Sequence, residues 1–514
     1  MVSLFCRVCS PAAGRRWNPL AMMILVALGS SAGGNFCADA ATPPAADAAQ
    51  RIIGYAMGPS PLAVDLRALT DGIGGRVTGT PAMERAVAWG VAAFRAAGVD
   101  VHTESWELPV TWAEGASTLE LTGSAAFPVS IVSVAWAPAT PAGGIDAPIV
   151  DVGEGGESDY ARAGGAVRGA MVLVHTDVIH TWADLTDEYD RAPPIIRRAV
   201  EGGARAILWI GARDHRVLYR HTDAVAAEIA ALPMAILARE DGLRLARATG
   251  SDPGKVRGRL SLPNRIGGPV RQENVVGEIR GRELPDEIVV LGAHLDSWEL
   301  GTGALDDGCN AAMVIAAARA IRESGARPRR TLRFILFSGE EQGLMGSRAY
   351  VAQHRAELDR TRAMITFDSG NGRVTGYSLG GRDDIRPGVE AALAPLADWD
   401  VGHHTADAST GTDNLDFLLA GVPTLVANQD PEDYMVNYHA STDTLDKVDI
   451  RALALHAAIA AVTAYQVADL PTPLGPRQTR AEIEALMQRT GLDRELKVQG
   501  MWPEWASGAR GRYP

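Results

Sequence analysis

The sequence predicts an α/β fold built on a mostly parallel central sheet and interrupted by an inserted α+β module. Three observations predict it. Apolar runs of strand length recur at Ile288–Leu291, Leu332–Phe337, Met364–Phe367 and Pro423–Ala427. Helical patterns separate the first three, and crossovers long enough to hold a helix join strands that lie parallel. Between about Gly115 and Leu262 the texture changes to short β-type runs, Gly-rich turns and two helical stretches, over roughly the length of one domain.

The 514 residues leave room for two domains, or for one large domain carrying an insertion. Hydrophobic residues make up 46% and charged residues 22%, an ordinary globular balance with ample material for a core. A net charge of -13 argues against a nucleic-acid partner and suits a soluble protein. The expected divisions are a leader at 1–40, the first part of the main domain at 41–114, the insert at 115–262, the rest of the main domain at 263–470 and a tail at 471–514.

In the leader, Arg15 and Arg16 precede the apolar run Leu20–Leu28, and small residues lead to Ala38-Asp39-Ala40. That is the three-part pattern of a secretory signal peptide, which places the protein in the periplasm or outside the cell. The apolar run falls short of the about 20 residues a bilayer needs, so no stable membrane insertion is expected after cleavage. An uncleaved anchor and twin-arginine export are the alternatives; the residues after Arg16 fit the second poorly. Cys37 lacks the apolar-small pattern of a lipidation site. The mature chain would keep only Cys309 and form no internal disulfide.

Residues 41–60 are Ala/Pro-rich and read as a mobile lead-in. From Ala63 to Gly98 the pattern is helical, broken by the Gly-rich stretch Asp71–Pro81; its second run places Val87, Val91, Phe94 and Ala97 on one face. Val101–Trp112 alternates as a strand does. Within the insert the strand candidates are Val129–Ala135, Ala170–Val174, Ala206–Ile210 and Pro233–Ile236. His175, His180, His215 and His221 there match no tight ligand spacing and read as satisfied or exposed histidines. Ile450–Ala468 reads as a packing helix, and the tail contains one more helical piece.

The chemistry gathers at the carboxyl ends of the strand candidates, where open α/β sheets bind ligands. The first strand leads into IVVLGAHLDSWELGTGALDDGCN, residues 288–310, which delivers His294, Asp296, Asp306 and Asp307 into a loop. Glu340-Glu341 follow the second strand, Asp368 the third, and His439 lies in the long loop after the fourth. Singly, each is more often a surface or turn residue; their recurrence at strand ends among Gly-rich loops favours a metal site. Peptide hydrolysis needs an activated water, a polarised carbonyl and a proton shuttle. Two metal ions about 3.5–4 Å apart supply the first two by bridging a hydroxide and acting as Lewis acids. Asp306 is the candidate bridge, with His294 and Asp368 on one ion and Glu341 and His439 on the other. The donors suit Zn²⁺, or Co²⁺ or Mn²⁺ in its place, and not Ca²⁺. Glu340, pointing away from its neighbour, is the candidate general base, and Asp296 is placed to orient the His294 ring.

HLDSWELGTGALDDGCN, FSGEEQGLMGS, FDSG and YHASTDTL resemble the metal-site motifs of the co-catalytic zinc exopeptidases of metallopeptidase family twenty-eight. HLDSW followed by GALDDG is most similar to its plasma glutamate carboxypeptidase (carboxypeptidase Q) branch. The resemblance covers about Leu66–Trp112 and Glu273–Leu470; the stretch between resembles, less sharply, the protease-associated domain of that branch. It implies a three-layer zinc-exopeptidase fold with a mixed sheet, two Zn²⁺ per chain, and a short peptide as substrate. It further implies His294, Asp306, Glu341, Asp368 and His439 as ligands, Glu340 as base, and a cis peptide at Asp306–Asp307. Tyr438 takes the place of an oxyanion-stabilising Tyr, with a packing role the alternative. Gly411–Asn414 resembles a substrate-side loop, and relatives of this branch are often homodimers. Cys309-Asn310 departs from the small residues common there and bears on helix packing.

The leading expectation is an exopeptidase acting on dipeptides or short peptides. Reading a substrate carboxylate would need a basic group, for which Arg373, Arg382 and Arg386 are near in sequence. The alternatives are an aminoacyltransferase of the glutaminyl-cyclase type, with one zinc, and a non-catalytic binding protein of the same fold.

Overall fold

The computed structural model describes residues 45–221 and 227–513, so the expected signal peptide lies outside the described residues. Seven strands form the central sheet: Asp100–Leu108 (β1), Val270–Ile279 (β2), Leu284–His294 (β3), Arg330–Phe337 (β4), Thr361–Thr366 (β5), Val374–Ser378 (β6) and Thr424–Gln429 (β7). Their order is β1-β2-β4-β3-β5-β7-β6. Strands β4, β3, β5 and β7 run parallel through the middle, while β1, β2 and β6 pair antiparallel at the sides. The sheet is mixed, with a parallel centre.

Two-residue alternation sends β3 side chains into two separate cores. Val289, Leu291 and Ala293 share one with Ala311, Val314 and Ile315 of the helix Cys309–Glu323 and with Ala457 and Ala461 of the helix Ile450–Asp469. Ile288 and Val290 share the other with Tyr350 and Val351 of the helix Met345–Gln353 and with Phe417. Burial on both faces explains why β3 reads as a continuous apolar run. The helix Ile450–Asp469 is capped by Asp449, whose side chain accepts from the backbone N–H of Arg451 and Ala452. It is long and apolar enough to cross a membrane, yet 72% of that apolar window is buried inside the protein, as for a core helix.

Two strands of the central sheet escaped the sequence reading. Strand β2 carries Gln272 and Asn274 at buried positions, which hides its apolar period. Asn274 accepts from the Ser338 N–H and donates to the Gly346 carbonyl, holding the turn after β4. Strand β6 spans only five residues. The lead-in expectation is corrected: Ala45–Ala56 is a helix that buries Ala48, Ala49, Ile52 and Ala56, while Arg51 donates to the Ser324 carbonyl. Its buried stripe is mostly alanine, so the Ala/Pro composition masked an i, i+4 pattern.

Residues 118–261 hold a second seven-stranded sheet, with the parallel strands Ile145–Asp151, Met171–Val174, Ala206–Ile210 and Met234–Leu237 at its middle and antiparallel strands at both edges. Three helices, Glu157–Ala163, Trp182–Gly202 and Arg239–Ser251, connect its strands where two were expected, so this region is α/β at its centre rather than α+β. The shortest of them, Glu157–Ala163, buries no residue.

The tail is also more structured than expected. Three helices, Arg480–Thr490, Leu492–Val498 and Trp502–Ser507, bury Ile483, Leu486, Leu492, Leu496 and Trp505 against Leu415, Leu418 and Leu419. Two of them have six or seven residues, too short to show a period in sequence. Arg510 closes the tail onto Asp416 with two hydrogen bonds of 2.8 and 2.7 Å, both side chains fully buried. Arg510→Ala is expected to cost about 3–5 kcal/mol, because Asp416 would be left as an uncompensated buried charge. Denaturant unfolding of the variant against the parent checks this.

Candidate metal centre

The site forms where the parallel strands end. His294 is the last residue of β3, Glu340 and Glu341 lie in the turn after β4, and Asp368 follows β5. Asp306 sits in the loop Ala304–Gly308 ahead of the helix Cys309–Glu323, and its peptide bond to Asp307 is cis. His439 follows the helix Glu432–Asn437.

Asp306 faces a histidine with each oxygen. Its Oδ1 is 3.1 Å from His294 Nε2, which is also 3.1 Å from Asp368 Oδ1. Its Oδ2 is 3.4 Å from His439 Nε2, which is 2.8 Å from Glu341 Oε2. The five candidate ligands therefore meet in the two pairs read from the sequence, with Asp306 between them. Donor atoms of His294, Asp306 and Glu341 lie within 4.8 Å of one another, as do those of His294, Asp307 and Asp368.

The loop that carries Asp306 is held from outside. Asp443 Oδ1 accepts the N–H groups of Ala304 (3.0 Å) and Leu305 (2.6 Å), and its Oδ2 accepts that of Asp306 (3.1 Å). The fully buried Arg76 guanidinium donates to the carbonyls of Leu295, Thr302 and Gly303. Asn310 Nδ2 donates to Asp307 Oδ1 (2.6 Å) and to the Gly370 carbonyl, so it positions an aspartate beside the candidate ligands as well as packing the helix.

Asp296 lies beside the His294 ring and also meets a second target. Its carboxylate lies 3.8 Å from His294 Nδ1, which is nearer to the Asp296 main-chain oxygen at 3.1 Å. The carboxylate also accepts the N–H groups of Glu340 (3.2 Å) and Glu341 (3.3 Å), tying the β3 loop to the turn that holds the base candidate. The reason is geometric: neighbouring parallel strands bring the two loops side by side. Tyr438 stacks on the His439 ring, centroids 3.7 Å apart, and its hydroxyl is 3.1 Å from that of Tyr189. Of the loop Gly411–Asn414, Asp413 is buried, and that burial pushes its carboxyl up to about 8. The three candidate arginines are engaged elsewhere: Arg373 with Asp400 and Asp430, Arg382 with Asp384, and Arg386 with Asp383.

The electrostatics fit a cation. Burial drives the Glu341 and Asp307 carboxyls well above the usual range and raises Asp368, with neighbouring carboxylates adding to each. Burial also drives Glu340 well above the usual range against the opposing His294, with Asp368, Glu341 and Asp413 adding to the rise. Burial lowers His439 to about 4, leaving its ring neutral and able to ligate. Asp306 Oδ2 and Glu341 Oε1 are buried without a hydrogen-bond partner, an arrangement that is costly unless something else binds them. Buried His and carboxylate donors with orphaned oxygens suit zinc.

Residues 274–464 match Peptidase family M28. The chain is 28% identical over 408 residues to carboxypeptidase Q of Mus musculus, spanning 78% of this chain and 84% of that protein. Among solved structures, the peptidase M28 precursor from Shewanella amazonensis SB2B superposes with a TM-score of 0.76 at 29% identity, over 85% of this chain and 99% of that one. BSAP, a zinc aminopeptidase from Bacillus subtilis, superposes with a TM-score of 0.63 at 19% identity, over 82% and 97%, a likeness of fold.

Proposed function

With residues 274–464 a Peptidase family M28 domain and the chain a metallo-exopeptidase, we propose that it hydrolyses dipeptides or short peptides at a two-zinc centre, with Glu340 as general base. The observation that carries this reading is Asp306, whose two oxygens face His294 and His439 on opposite sides. His294 and Asp368 would hold one ion, Glu341 and His439 the other, and Asp306 both. Bound there, zinc supplies Lewis acidity toward the scissile carbonyl and makes water a nucleophile near neutral pH.

The rest is done by the chain. Asp296 holds the turn of Glu340 and Glu341 by its backbone, so that adjacent carboxylates serve separate tasks. Glu340 takes a proton from the attacking water and returns it to the leaving amine as the C–N bond breaks. Its raised carboxyl pKa suits a group that must hold that proton between the two steps. Tyr438 is our candidate for stabilising the oxyanion, with Tyr189 as its partner. The same reading takes the core as a three-layer zinc-exopeptidase fold and residues 115–262 as a protease-associated-like insert. It places the protein outside the cytoplasm, supported by the leader sequence Arg15 to Ala40.

Zinc content and dipeptide hydrolysis, measured before and after chelation, test the proposal. Two zinc ions per chain are expected, with activity lost on chelation and restored by zinc. One ion without peptidase activity would favour the cyclase reading, and no ion even after zinc is supplied would favour a binding protein.

A further inference from the structure

The half of the centre that contains His439 is buttressed by the insert. Residues 218–221 lie antiparallel to residues 438–441, with a β-bridge between Tyr219 and Ala440. The Arg220 N–H donates to the His439 carbonyl at 2.7 Å, and the Ser441 N–H donates to the Leu218 carbonyl at 2.9 Å. Arg213 Nη2 donates to the Tyr438 carbonyl at 3.3 Å. The ring itself is held too: His439 Nδ1 is 3.1 Å from the Arg220 carbonyl oxygen. A ring N–H donated there leaves the Nε2 lone pair free to bind a metal ion, on the side of the ring that faces Asp306 and Glu341. The backbone of His439 is left-handed, φ 57°, a conformation that a residue with a Cβ keeps only when its surroundings enforce it.

Arg220 is anchored as firmly as the residue it holds. Its fully buried guanidinium donates to the Ser133 carbonyl, pairs with Glu114 at 2.7 Å and with Glu299, and lies 5.3 Å from the Trp112 ring centroid. Glu299 belongs to the loop that follows His294. One residue of the insert thus clamps that loop with its side chain and His439 with its backbone. We propose that Arg220 is a positioning residue for His439, through which the insert sets the zinc affinity of the Glu341/His439 half of the centre. The inference rests on the two-zinc reading above.

Zinc binding to the metal-stripped full chain, followed by competition with a chromophoric chelator, resolves the two affinities. Arg220→Met is expected to weaken one of them about 10–100-fold, the usual effect of losing a ligand's outer support, and to leave the other unchanged. Arg220→Lys, which keeps a cation between Glu114 and Glu299, should recover part of the loss. In a His439→Ala background Arg220→Met should weaken zinc no further, and Co²⁺ bound to Arg220→Met should show an altered visible spectrum. A merely structural role would lower the melting temperature without singling out one half. If Arg220→Met does not fold, Glu299→Gln decides, because that side chain is 35% exposed; a smaller loss confined to the same half is expected. Equal weakening of both halves, or none in a folded variant, overturns the proposal. Fewer than two zinc ions on the parent chain would instead overturn the two-zinc reading, and that measurement precedes any variant.

Discussion

Glu340→Gln is expected to lower turnover of a dipeptide by about 10²–10⁴-fold while leaving the zinc content unchanged, the range that general acid–base catalysis contributes. The substitution keeps the shape of the side chain and removes its ability to take a proton. It leaves the supporting contacts alone, since Asp296 binds residue 340 through the backbone N–H rather than the carboxylate. The candidate ligand Glu341 is likewise held by its own N–H and by His439. Binding and chemistry therefore separate in this variant. Metal content by elemental analysis, with kcat and KM on one dipeptide, checks the expectation: kcat should fall and KM move little. Turnover within tenfold of the parent would remove Glu340 from the mechanism, and a parallel loss of zinc would make it a ligand.

The candidate metal centre was legible in part because its motifs are local. Three of the five candidate ligands, His294, Glu341 and Asp368, lie at or within a few residues of the end of an apolar strand, with Asp306 and His439 farther along the loops that follow, and parallel strands carry their ends to one edge of the sheet. An order of motifs along the chain thereby becomes a cluster in space. What holds the cluster was not legible. Arg76 reaches the carbonyls of Leu295, Thr302 and Gly303 from more than two hundred residues away, and nothing in DGIGGRVTGTP distinguishes a buried arginine from a surface one. Asp443 stood in plain view within YHASTDTL, but its three backbone partners lie far upstream. Arg220 and Tyr189 belong to a region whose relation to the metal centre is set by tertiary packing alone. Asp296 was read toward the His294 ring two residues away, beside which it lies; its second target, the N–H groups of Glu340 and Glu341, sits more than forty residues downstream and left no sign in the sequence. Helices fared by length and composition: Ile450–Asp469 announced itself, whereas the alanine stripe of Ala45–Ala56 and the short tail helices did not.

Asp306→Ala should be the most damaging single change, with at least one zinc ion lost per chain and hydrolysis falling below that of Glu340→Gln. Catalytic zinc sites are built on three protein ligands, and without Asp306 each half of this centre keeps two: His294 with Asp368, or Glu341 with His439. The loop should survive the change, since the Asp443 contacts are made by the N–H groups of residues 304–306 and not by the Asp306 side chain. Loss of metal can then be separated from loss of fold. For the parent, zinc at 1,000 times its dissociation constant stabilises the folded chain by about 4 kcal/mol per site through mass action, which appears as a rise in melting temperature. In Asp306→Ala that rise should shrink or vanish, while the metal-free chain still unfolds cooperatively. One ion lost and one kept would show that the halves differ in dependence on the shared carboxylate, and the retained half could be assigned by adding His439→Ala. Two zinc ions at parental affinity in Asp306→Ala would rule out a bridging carboxylate, and the facing distances of 3.1 and 3.4 Å would then describe a hydrogen-bonded Asp–His pair.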